Sequence, residues 1–135
     1  MKITGIEHIA IAVNSITESS PFWLEILGLS SMGRESVESE GVNTEFYQAG
    51  KSKIELLEKI GENSPIAKFL EKRGEGIHHI CFEVENIDEA IKELKEKNIE
   101  LLSDLSKEGT RGKKIIFIHP RSAGGVLVEL AEKDS

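Results

Sequence analysis

Four residues of metal-ligating type stand at matched places in this chain: His8, Glu55, His79 and Glu129. Seventy-one positions separate His8 from His79, and 74 separate Glu55 from Glu129. Two imidazoles and two carboxylates make a mixed nitrogen and oxygen set that suits Zn²⁺, Co²⁺, Ni²⁺ or Mn²⁺. An octahedral cation held by four such donors keeps two positions open, where a bidentate substrate can bind and have its carbonyl polarised by a Lewis acid. Taken singly, a histidine on a strand is ordinarily a hydrogen-bonded structural residue, and an alternating glutamate ordinarily faces solvent. Their occurrence as two equivalent His/Glu pairs is what points to a metal. No short motif of the His-Glu-x-x-His kind is present.

The elements that must position these residues read as one unit used twice. Gly5-Ile6-Glu7-His8-Ile9-Ala10-Ile11-Ala12-Val13 matches Gly76-Ile77-His78-His79-Ile80-Cys81-Phe82-Glu83-Val84, with His8 on His79 and Val13 on Val84. Each segment leads into a helix-start signal, Ser15-Ile16-Thr17-Glu18 and Asn86-Ile87-Asp88-Glu89, a short polar cap with a glutamate three residues later. Side chains alternate faces along a strand. His8, Ala10 and Ala12 therefore share a face opposite the bulky Ile9, Ile11 and Val13. His79 and Cys81 lie opposite Ile80, Phe82 and Val84. Glu55 alternates with Ile54 and Leu56, and Glu129 with Val128 and Leu130. Each half thus offers one His and one Glu on the face turned away from its helix.

The spacing predicts a β-α-β-β-β order in each half. In the first, a strand covers about 3–13, a helix about 16–27 closed by Gly28, then a polar loop and strands near 43–49 and 52–58 about the Gly50-Lys51 turn. Pro21 either kinks that helix or restarts it. In the second, a helix covers about 87–97, with strands near 99–103, 114–119 and 125–131. The expected organisation is one α+β domain of two βαβββ modules, about 1–62 and 75–135, joined by a short helical linker at about 63–74.

Composition narrows the setting. The 135 residues are 39% hydrophobic and 30% charged, an ordinary globular mixture rather than a disordered one. A net charge of −7 disfavours nucleic acid and acidic lipid as partners. Cys81 stands alone, which precludes an intrachain disulfide and fits a reducing compartment. The first residues run straight into a strand pattern without a signal-peptide core, and no apolar run approaches ~20 residues. The expectation is a cytoplasmic protein without membrane association.

Several stretches are more specific. Ile6-Glu7-His8-Ile9-Ala10-Ile11-Ala12-Val13, Lys53-Ile54-Glu55-Leu56-Leu57-Glu58 and Gly74-Glu75-Gly76-Ile77-His78-His79-Ile80 resemble the vicinal oxygen chelate superfamily. Within it, Asn63-Ser64-Pro65-Ile66-Ala67-Lys68-Phe69-Leu70 and the run from Phe117 through His119-Pro120-Arg121-Ser122-Ala123-Gly124-Gly125 to Leu130 resemble the methylmalonyl-CoA epimerase family. The resemblance covers nearly the whole chain. It implies a curved mixed sheet around a metal-binding cavity, usually in a homodimer. It implies metal ligation by His8, Glu55, His79 and Glu129, one divalent ion per chain, with Co²⁺ favoured and Zn²⁺, Ni²⁺ or Mn²⁺ possible. The implied activity is interconversion of the (2R) and (2S) forms of an acyl-CoA substrate, methylmalonyl-CoA. There the metal binds the thioester oxygen and the malonyl carboxylate and stabilises the enolate left by the C2 proton.

Epimerisation through a planar enolate calls for an acid/base group on each face. Glu129 is the first candidate, and Glu45, sharing parity with Tyr47 in the strand beside Glu55, is the second. An exposed strand residue is the plain alternative for Glu45. His78, of opposite parity to His79, reads as a supporting residue, and Cys81 as a small buried hydrophobe that could line the cavity. The basic residues Arg111, Lys113, Lys114, Lys68 and Arg121 could meet coenzyme A phosphates, with solvated surface cations as the alternative. Two rival functions remain at this point: a glyoxalase I-type lactoylglutathione lyase, and a non-catalytic small-molecule-binding resistance protein of the same fold.

Overall fold

Side-chain caps set the start of every α-helix. Ser15 accepts from the Glu18 amide at 3.2 Å, Ser64 from Ala67 at 3.1 Å and Asn86 from Glu89 at 2.9 Å, each filling one of the donors that a helix start leaves open. In the computed structural model, which describes residues 1–134, the elements follow in this order. They are β1 (Ile3–Ala12), α1 (Ile16–Pro21), β2 (Ser30–Val37), β3 (Val42–Ala49), β4 (Ser52–Lys59), α2 (Pro65–Arg73) and β5 (Gly76–Val84). After these come α3 (Ile87–Glu96), β6 (Lys107–Glu108), β7 (Lys114–Ile118) and β8 (Val128–Glu132). The β-α-β-β-β order therefore occurs twice, and the architecture is α+β. No described helix is long and apolar enough to cross a membrane.

The chain divides into two units, one of residues 8–78 and the other of residues 1–7 with those from 79 onward. In the first unit the strands run β2-β3-β4-β1, antiparallel except that β1 and β4 are parallel. In the second they run β6-β7-β8-β5, again with one parallel pair, β5 and β8. On one face of the first unit's sheet, Val13, Leu56 and Tyr47 pack with Ile16, Trp23 and Leu24 from the helical segment. On the other, Ala10, Ala12, Val42 and Leu57 are covered by Ile66 of α2. In the second unit α3 sets Ile87, Ala90, Ile91 and Leu94 against Val84, Ile116, Ile118 and Leu130. These apolar positions recur at helical spacing, so one stripe of α3 is buried and the rest solvated.

Four expectations need correction. The single helix over 16–27 is α-helical only to Pro21. From Phe22 to Ile26 it widens to a π-turn, in which the Leu27 amide reaches the Phe22 carbonyl at 3.0 Å. Pro21 has no N–H to continue the α-pattern, so the ladder changes there. The polar loop after Gly28 contains β2, an exposed edge strand whose residues Ser30–Gly33 and Arg34 give no apolar alternation to read. The strand expected at 99–103 is reduced to one bridge between Leu101 and Ile118. The last strand begins at Val128 rather than 125, because Gly124 (φ +66) and Gly125 (φ +91) occupy a turn.

Candidate functional site

Register places the ligand-type residues. In the first unit β1 and β4 align Ala10 with Glu55 and Ile11 with Leu56, while β3 and β4 align Phe46 with Glu55. Alternation then puts His8, Ala10, Phe46 and Glu55 on one face, and Ile11, Leu56 and Tyr47 on the face that carries α1. In the second unit Cys81 aligns with Glu129 and Phe117 with Glu129, so His79, Cys81, Phe117 and Glu129 share the face opposite α3. The two halves thus repeat the arrangement pair for pair.

Within each unit the histidine and glutamate meet. His8 Nδ1 lies 2.9 Å from Glu55 Oε2, and His79 Nε2 lies 2.9 Å from Glu129 Oε1. All four side chains are at most 6% exposed. A carboxylate taken out of water is costly unless a cation or hydrogen-bond donors face it, and here an imidazole does so in each pair. Imidazole nitrogen and carboxylate oxygen are also the donors that a borderline divalent cation takes, so the residues fit the metal implied by the sequence. His79 is held further by the ring of Phe117, edge-on at 5.3 Å.

Alternation also explains a neighbouring carboxylate in each half. Glu58 and Glu132 stand three residues after Glu55 and Glu129, an odd step that turns them to the helix side. Glu58 accepts the Ile16 amide at 2.9 Å and Glu132 the Ile87 amide at 3.1 Å. Each β4- or β8-type strand therefore carries one carboxylate toward the candidate site and one onto the start of its helix, where the positive end of the dipole favours it. Sequence reading missed these two, and it missed Phe46 and Phe117 as walls beside the glutamates. The signal existed: Phe46 and Phe117 stand 71 positions apart, the same offset as His8 and His79.

Glu45 goes elsewhere. It aligns with Leu56, not with Glu55, and so faces α1. Its buried carboxylate accepts from Tyr47 Oη at 2.8 Å and pairs with Arg34 Nε at 3.0 Å. Burial, first, and the hydrogen bond to Glu45, second, push the Tyr47 hydroxyl well above the usual tyrosine range. The structure does not bring Glu45 to the face of His8 and Glu55.

The other polar residues also find places. His78 packs against Phe69 of α2, with ring centroids 5.0 Å apart. Cys81 is fully buried beside Ile115 and Ala131. Lys113 is nearly buried between Glu7 (3.5 Å) and Asp134 (3.8 Å), Arg121 pairs with Glu100 at 3.0 Å, and Lys114 approaches Asp88 at 4.0 Å. These three basic residues are engaged within the protein.

A family model described as the Glyoxalase/Bleomycin resistance protein/Dioxygenase superfamily matches residues 7–117. The chain is 44% identical over 128 residues to the human mitochondrial methylmalonyl-CoA epimerase, covering 94% of this chain and 73% of that one. Among solved structures, the methylmalonyl-CoA epimerase of Mycobacterium tuberculosis superposes with a TM-score of 0.94 at 32% identity, covering 98% of this chain and 90% of that one. A variant of the Streptomyces coelicolor methylmalonyl-CoA epimerase, in complex with 2-nitronate-propionyl-CoA, superposes with a TM-score of 0.95 at 32% identity. That match covers 99% of this chain and 97% of the other. The fold is the one these structures have.

Proposed function

Because the chain belongs to the glyoxalase/bleomycin resistance protein/dioxygenase superfamily, we infer that it is an isomerase that interconverts the (2R) and (2S) forms of methylmalonyl-CoA. The observation that carries this reading is likeness along nearly the whole chain to proteins named as that epimerase. The same likeness favours it over a glyoxalase I-type lyase or a sequestering protein, which fold alone would not separate.

We propose that His8, Glu55, His79 and Glu129 together hold one divalent cation, with Co²⁺ the first choice from the family resemblance. Support comes from the two matched His–Glu pairs and the chemistry of their donors. When bound, such a cation supplies Lewis-acid stabilisation for the negative charge that develops as the C2 proton leaves. The protein's own part is the proton. Glu129 accepts it from one face of the substrate. Return of a proton to the opposite face calls for a second acid/base group. Glu45 receives a structural role, since its carboxylate is committed to Tyr47 and Arg34. The walls of Phe46 and Phe117 limit water beside the two carboxylates, which strengthens each electrostatic contact. Assembly as a homodimer is proposed from the family resemblance; sedimentation giving a lone 14.9 kDa species would overturn it.

Incubation of metal-loaded protein with (2S)-methylmalonyl-CoA in D₂O tests the activity. Deuterium is expected at C2 in both epimers, followed by NMR. Absence of exchange above background, with turnover of the methylglyoxal–glutathione adduct, would replace this reading with the lyase.

A further inference from the structure

One buried ion pair beside His8 has no part in the chemistry above. Lys113, just before β7, puts its ammonium 3.5 Å from a carboxylate oxygen of Glu7, and the two side chains are only 8% and 7% exposed. Asp134, 76% exposed, stands further off at 3.8 Å. A buried pair of opposite charges seldom adds stability, because desolvation offsets the attraction and apolar side chains of like volume serve as well. Position supplies another reason for this one. Glu7 precedes His8 in β1, and alternation turns its Cβ away from the histidine's face. Its carboxylate nevertheless brings an oxygen within 4.8 Å of the ligating nitrogen of His8. Two donors on one cation, each ~2.1 Å from it, lie roughly 3–4 Å apart, so a small swing of the Glu7 side chain is enough for both to ligate. The second half has no such carboxylate: His78 stands at the position matched to Glu7, and its ring lies edge-on to Phe69.

Four ligands, His8, Glu55, His79 and Glu129, leave two places open on a six-coordinate cation, and a substrate that chelates through two oxygens fills both. Glu7 as a fifth protein donor would close one of them. We propose that Lys113 holds Glu7 out of the cation's coordination shell and so keeps two places open for the substrate. Lys113 and Glu7 are positioning residues, and neither touches the reacting atoms. The inference rests on the four-ligand reading above. The lysine ammonium is a compact point charge, and in a buried setting it competes with the cation for the same carboxylate.

Bound Mn²⁺ counts the open places without catalysis, since the water-proton relaxation it causes scales with the number of waters on the ion. Wild type, Lys113→Met, Glu7→Gln and Lys113→Met/Glu7→Gln are each loaded with Mn²⁺ and the relaxation enhancement is read, with affinity from calorimetry. Lys113→Met is expected to lose about half the enhancement, one water of two, and the double variant to regain it. C2 deuterium exchange should follow the same order, falling about 10–100-fold and then recovering. An unchanged enhancement in Lys113→Met, even with tighter Mn²⁺ binding, leaves an effect of charge alone and overturns the proposal. A higher enhancement in Glu7→Gln than in the wild type also overturns it, because Glu7 would then already be a ligand. Where Lys113→Met does not fold, Lys113→Ala takes its place; failure of both to fold makes the pair structural, and the proposal falls. Wild-type protein that binds no Mn²⁺ would instead sink the four-ligand reading, and this inference with it.

Discussion

Replacing Glu45 by leucine separates a structural carboxylate from a catalytic one. In the wild type that carboxylate is 4% exposed and receives the Tyr47 hydroxyl at 2.8 Å. Leucine removes the acceptor and leaves a fully buried hydroxyl with Ser20 as its remaining partner, at a cost of about 1–3 kcal/mol. The Arg34 contact adds little, because that guanidinium is 54% exposed and screened by water, so about 0–1 kcal/mol is the proper allowance. The sum is near ~2.5 kcal/mol. For a chain of this length each kcal/mol moves the midpoint by roughly 4 °C, so Tm should fall by about 10 °C. Differential scanning calorimetry reads that shift. C2 deuterium exchange, measured well below the new midpoint, should stay within about threefold of the wild type. A general acid or base ordinarily contributes 10²–10⁴-fold to rate. A loss of ~100-fold or more in exchange with Tm unmoved would refute the argument and return Glu45 to the reaction.

The remaining expectations are simpler. Tyr47 has a folded pKa raised above its unfolded value of ~10, so its contribution to stability is fully present below that pH and is lost as pH rises beyond it. Urea unfolding from pH 9 to 11.5 should show a decline that Tyr47→Phe makes shallower; identical slopes would argue against a buried, neutral tyrosine. Gly41→Ala should destabilise by about 2 kcal/mol or more, since φ is +67° and an added Cβ would stand 2.5 Å from Ser64 Cβ. Denaturant midpoints check this, and a neutral result would mean the turn and the start of α2 can separate freely. His8→Ala and Glu129→Ala should each weaken Co²⁺ binding at least tenfold by calorimetry, as loss of one of four donors requires; full retention of the ion by either variant contradicts the ligand assignment.

Much of the site was open to reading because alternation is a local rule. Within one strand, residue parity alone decides which side chains share a face, so His8 with Ala10 and His79 with Cys81 could be paired on paper. The caps at Ser15 and Asn86 were equally local, each needing only a short polar side chain and the amide three residues on. The duplication extended these local facts to both halves. What stayed hidden depended on relations between strands. Whether Glu45 shares a face with Glu55 depends on the antiparallel register of β3 on β4, which sets Phe46, not Glu45, opposite Glu55. A shift of one residue would reverse the answer, and neither strand's own sequence states it. The edge strand β2 was invisible for a related reason: its polar, solvent-facing residues are extended because β3 pairs with them, not because of any pattern they carry. Composition and periodicity therefore determined the repeated module and its two His–Glu pairs. Tertiary pairing alone decided that Glu45 and Tyr47 belong to the helix face, and that Lys68, Lys72 and Arg73 line a cleft without carboxylate partners. Long-range hydrogen-bond register and helix docking set those neighbours, and neither is encoded at short range.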